Sequence, residues 1–158
     1  MPSYSQLTKL LCAALGTVLA LGRGSLPASA ALGGDVASVQ NDMVRMRASL
    51  KITHAEAYTV HEMQMSSGTV VREFVSPAGQ VFGVAWQGPF LPDMKQILGT
   101  YFSRYEQVGI AKPRRAQGPL MIDTPELVLE SSGHMQSYRG RAYVPTMVPQ
   151  GVSLDAIR

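Results

Sequence analysis

Cysteine is almost absent from this chain of 158 residues: the single one, Cys12, lies within the first thirty. Beyond residue 30 no thiol can form a disulfide, hold zinc as a thiolate or act as a nucleophile. Acid is missing from the start as well, since nothing acidic precedes Asp35. Long apolar runs are lacking too. The longest, Leu10–Leu21, falls short of the roughly 20 residues that cross a bilayer as a helix. There is no Gly-x-Ser-x-Gly elbow, and no spacing of serine, histidine and acid suggests a catalytic triad. No phosphate-cradling loop is present: Gly22-Arg23-Gly24 belongs to the opening stretch, and Gly33-Gly34 lacks the following lysine and the preceding strand. No repeat or low-complexity tract divides the chain.

What is present begins with an address. Lys9 supplies a positive charge, Leu10–Leu21 a short greasy core, and Ala28-Ser29-Ala30 a small-x-small cleavage site. That order is the pattern of a secretory signal peptide over residues 1–30. The alternative, an uncleaved N-terminal anchor, suits the short run less well. Lipidation is rejected, because Leu10-Leu11 precede Cys12 where small residues are needed. Cleavage after Ala30 leaves residues 31–158 as a single domain of roughly 130 residues, enough to bury a core without disulfides. It also removes Lys9 and Arg23, so the formal charge falls from +3 to about +1. The apparent basicity belongs to the leader and argues for neither nucleic acid nor a membrane surface.

Within residues 31–158, Ala31-Leu32-Gly33-Gly34 reads as a flexible start and Asp35 as the N-cap of a helix over about 36–49. Val36, Val39, Met43, Met46 and Leu50 fall on one stripe of that helix. The stripe is expected to dock on the domain's own sheet rather than form a short coiled coil. Tyr58–Met65, Thr69–Val75 and Val81–Gln87 are rich in β-branched and aromatic residues and are separated by turn residues, so they predict an antiparallel meander. Pro92 and Asp93 open a second helix over about 92–108, with Met94, Ile97, Leu98, Tyr101, Phe102, Tyr105 and Val108 on its apolar face. After the breaker-rich stretch 112–118, Leu120–Asp123, Leu127–Ser131 and His134–Tyr143 read as further strands, with Ser132-Gly133 as a bend. The end, from Pro145, is expected to run from ordered to frayed, with one helical turn from Ser153. The fold class is therefore α+β: an antiparallel β-meander sheet of about six strands with two helices packed on one face.

These segments resemble a family of small exported bacterial proteins, domain of unknown function 2844. The likeness lies in Ala31-Leu32-Gly33-Gly34, Ala57–Glu62, Gly68–Glu73, Val75–Gly79, Ala85–Pro89 and Gly133-His134-Met135. The resemblance implies secretion and one domain, and it carries over no activity, cofactor or catalytic residue.

One constellation has a geometric basis for metal binding. His61, Met63 and Met65 alternate along an expected strand and so share a face, and imidazole with thioether sulfur suits Cu(I). His134-Met135 could supply a further ligand, and Trp86 could cap the site. The plainer reading, methionines as core filling, is preferred. His54 and Glu56 could share a face, but two ligands make a poor site. His61 and Glu62 point to opposite faces and cannot chelate together. Lys112, Arg114 and Arg115 form a basic cluster that could dock an anionic head group, an acidic polysaccharide or a partner's carboxylates. Arg139 and Arg141 alternate with Tyr138, Ala142 and Tyr143, a pattern that single-stranded nucleic-acid platforms share, but export and a near-neutral charge favour protection of an edge strand.

The expectation is an exported, periplasmic or extracellular, non-enzymatic binding or accessory module of the cell envelope or a secretion system. Its expected partner is an envelope protein. Nucleic acid, a cofactor and a membrane span after cleavage are not expected. A periplasmic copper-binding protein is the alternative, and an unrecognised hydrolase the third.

Overall fold

The computed structural model describes residues 31–111 and 118–158. Its centre is one antiparallel sheet of seven strands: β1 (Ala48–His54), β2 (Thr59–Met65), β3 (Val70–Val75), β4 (Val81–Gly88), β5 (Leu120–Asp123), β6 (Val128–His134) and β7 (Ser137–Tyr143). Their order across the sheet is β1-β2-β3-β4-β7-β6-β5. Two meanders are thus joined at β4 and β7. The chain leaves β4 at the middle, crosses the sheet through the helices and returns inward from the far edge.

The seventh strand, β1, is a correction to the expected six. Helix α1 (Val36–Met46) ends earlier than its apolar stripe suggests. Arg47 takes a left-handed conformation at φ 49°, its N–H donates to the Val44 carbonyl, and the chain enters β1 at once. Leu50 still reaches the core, but from a strand. A spacing of four from Met46 serves a helix, and alternation with Ile52 serves a strand equally well.

The second helical segment is also broken. Asp93 caps α2 (Met94–Leu98), accepting from the Lys95 and Gln96 N–H groups at 3.0 and 3.1 Å. A 3-10 turn over Gly99–Tyr101 then leads into α3 (Phe102–Ala111). The break has a cause. Gly99 has φ 52°, and a side chain there would collide with Ala31. Ala31-Leu32 is accordingly not a flexible start: both residues are buried, and Leu32 N–H donates to the Ile97 carbonyl.

Each face of the sheet carries its own core. On one, Met63, Val71, Val84, Trp86, Leu129 and Ala142 pack with Leu32 and Val39 and with Ile97 and Leu98 of α2. Partly buried Met43, Met46, Phe102, Tyr105 and Val108 extend that layer, so the helices do share one face. On the other, Phe74, Phe82, Ala85 and Tyr143 are closed by Ile157. A register slip between Phe74 and Val75 skips Phe82, whose ring joins this second core. The C-terminal stretch does not fray: Ser153 caps a 3-10 turn over Leu154–Ala156, and Ile157 is fully buried. No described helix is long and apolar enough to cross a membrane.

Candidate binding face of the sheet

The helix-side face holds the proposed soft-metal residues. Register places Ile52, His61 and Glu73 in one row across β1–β3, and Leu50, Met63 and Val71 in the next. His61, Met63 and Met65 do share that face. Met63 is 0% exposed and sits in the helix-side core, so an incoming ion would have to open the packing. His134 and Met135 lie at the far β6–β7 turn, four strand spacings or about 19 Å from β2. The Trp86 ring lies over Gly140 of β7, on the side away from β2. His54 is exposed beside the Thr59 hydroxyl. Among the described residues no three His, Cys, Asp or Glu side chains could together hold a metal ion. Lys112, Arg114 and Arg115 lie outside the described residues.

One buried carboxylate was missed. Glu73 is 0% exposed, directly across from His61 on the helix-side face. The signal was its position, a lone acid among Val71 and Val75 on an otherwise apolar face. His61 is itself buried, and burial lowers its pKa, with the nearby His54 charge acting in the same direction.

Beside its own apolar core, the opposite face carries cross-strand rows of polar side chains. Lys51, Glu62 and Arg72 stand opposite one another on β1, β2 and β3, and Arg72 Nε donates to Glu62 at 2.7 Å. Arg141 of β7 makes a two-pronged contact with Glu130 of β6 at 3.2 and 3.1 Å. That hydrogen bond is the main reason the Arg141 pKa is raised, although burial opposes it. Both arginines also hold the C-terminal stretch: Arg72 donates to the Arg158 carbonyl at 3.2 Å and Arg141 to that of Leu154 at 3.0 Å. Each pair is about a third exposed, so each contributes only ~0.5 kcal/mol to stability; its larger effect is to fix geometry.

Arg139 and Arg141 are not on an edge strand. β7 pairs with β4 on one side and β6 on the other, so these arginines stand on an inner strand. Beside the C-terminal stretch lies an open hollow of about 1010 Å³. Arg72, Arg139, Arg141 and Arg158 line it, against Glu130 and Asp155. A second hollow of about 690 Å³ shares Gln87, Ser132 and Arg139 with the first and runs to the β6–β7 turn. Arg139 therefore stands where the two meet. It is exposed and has no ion pair among the described residues.

The family described as protein of unknown function, DUF2844, matches residues 28–157. The chain belongs to it. The match takes in the whole sheet and every side chain of the arginine-lined face except Arg158. Neither a curated protein nor a solved structure matches this DUF2844 chain.

Proposed function

We propose that this chain is an exported module of the cell envelope that works by contact, engaging an anionic envelope component across the open face of its sheet. One observation carries the reading: Arg139, without an ion pair among the described residues, stands on an inner strand where hollows of about 1010 and 690 Å³ meet. A guanidinium presented without a carboxylate of its own is a ready two-pronged donor to an anion. Support for export comes from the charged start, the short apolar run and the small residues at 28–30, the point at which the family match begins.

The test has two arms. Cell fractionation with N-terminal sequencing is expected to find the protein outside the inner membrane and starting at Ala31. Co-sedimentation with isolated envelope material is expected to capture the wild type and lose Arg139→Glu. A companion variant reversing Arg114 and Arg115 separates the 112–117 stretch from the sheet face. Cytosolic protein retaining Met1 would defeat the export half, and unchanged capture of Arg139→Glu the contact half.

A further inference from the structure

The proposed contact face has a composition that narrows its ligand. Gln87 of β4, Arg139 of β7 and Ser132 of β6 are register partners, so they form one row across three adjacent strands. The row spans about 10 Å. All three line the hollow at the β6–β7 turn, and none of their side chains carries a hydrogen bond among the described residues. Together they offer five guanidinium N–H donors, an amide that donates and accepts, and a hydroxyl that does the same.

The backbone beneath them is already committed. β7 uses its main-chain groups in ladders to β4 and β6, so an extended peptide cannot add here as a strand. A peptide held by side chains alone would have to present its own carboxylates to Arg139, and it would offer no hydroxyls to the amide and hydroxyl that flank the guanidinium. A ligand carrying carboxylates and hydroxyls side by side matches the three groups directly.

Resting on the contact reading above, we propose that Gln87, Arg139 and Ser132 form the floor of a binding site for an acidic polysaccharide of the uronate type. Arg139 takes the carboxylate with two parallel N–H donors. Gln87 and Ser132 pair with ring hydroxyls on either side. The neighbouring Arg141 and Arg72, already held by Glu130 and Glu62, add positive field and draw the chain along the face.

Titration calorimetry of the purified protein with an oligogalacturonate, a neutral oligogalactose of equal length and a polyglutamate peptide tests this. The oligogalacturonate is expected to bind with an affinity that falls as salt rises. Arg139→Ala should weaken it on the order of tenfold, and Arg139→Lys should restore part of the loss. Arg104→Ala, an exposed arginine on α3, should leave it unchanged. Melting curves should match for all variants, because neither Arg139 nor Arg104 has an ion pair among the described residues. No heat with the uronate at millimolar concentration, equal binding of the neutral oligomer, or insensitivity to Arg139 would overturn the inference. Arg139-dependent binding of polyglutamate in preference to the uronate would also overturn it, but would leave the contact reading standing with a protein as partner. If Arg139→Glu is captured by envelope material as well as the wild type while uronate binding depends on Arg139, the inference survives and the envelope reading falls.

Discussion

Trp86 and Gly140 show how closely single residues are matched in this sheet. The two are register partners, and a side chain at 140 would meet the indole ring and come within 2.5 Å of the Glu130 carbonyl. Leu32 is the harder case, since it lies two positions beyond the expected cleavage point and reads as a loose end. It is 1% exposed, packed in the helix-side core. Leu32→Ala is therefore expected to cost ~2–5 kcal/mol in urea unfolding, whereas a flexible start would give no measurable change. His61 sets a pH dependence. Burial favours its neutral form in the folded state, so on acidification the unfolded chain takes up the proton first. Its contribution is present above the ordinary histidine value of 6.5 and is lost progressively as pH falls below it toward the folded value. Comparing urea midpoints of the wild type and His61→Gln on either side of that value checks this; the variant should lose less stability on the acid side.

At the scale of elements, the C-terminal stretch decides how much of the second sheet face stays open. It is held at three points: Arg72 to the Arg158 carbonyl, Arg141 to that of Leu154, and the Ile157 side chain over Gly83. A methyl group at Gly83 would stand 3.3 Å from Ile157 Cδ1, so the absence of a side chain there is what seats the isoleucine. Ile157→Ala is expected to cost ~2–5 kcal/mol, with increased dye binding as Phe74, Phe82 and Tyr143 become accessible. The two arginine contacts alone, being partly exposed, would not hold the stretch in place. The strand edges also explain a misreading. Alternating arginines commonly guard an unpaired edge, but β7 is an inner strand, and its arginines face the open side because the sheet needs an apolar row only toward the helices and the buried half of the second face.

For the whole molecule, two cores on opposite faces of one sheet take the place of covalent cross-links. Residues 31–158 contain no cysteine, so the melting temperature of the processed chain is expected to be identical with and without reductant. A shift would mean that Cys12 is still attached and paired between molecules. Because the sheet joins β4 to β7 across the helical crossover, its central pairing is non-local, and folding should be slow, on the order of milliseconds to seconds in stopped-flow refolding.

The antiparallel α+β class, the strands from Thr59 to Gln87, a helix opening near Asp93 and the shared face of His61, Met63 and Met65 were all legible in the order of residues alone. These follow from periodicity and turn chemistry, which act over a few neighbouring residues. It took the packed fold to make β1 a strand and Ala31-Leu32 core, to reverse the chain at Met135-Gln136 rather than Ser132-Gly133, and to leave Arg139 without an ion pair among the described residues beside Gln87 and Ser132. The row Gln87–Arg139–Ser132 joins residues far apart in the chain, and pairing at that range depends on which strand lies beside which. That order is set by how both cores close at once, and no local pattern of residues encodes it.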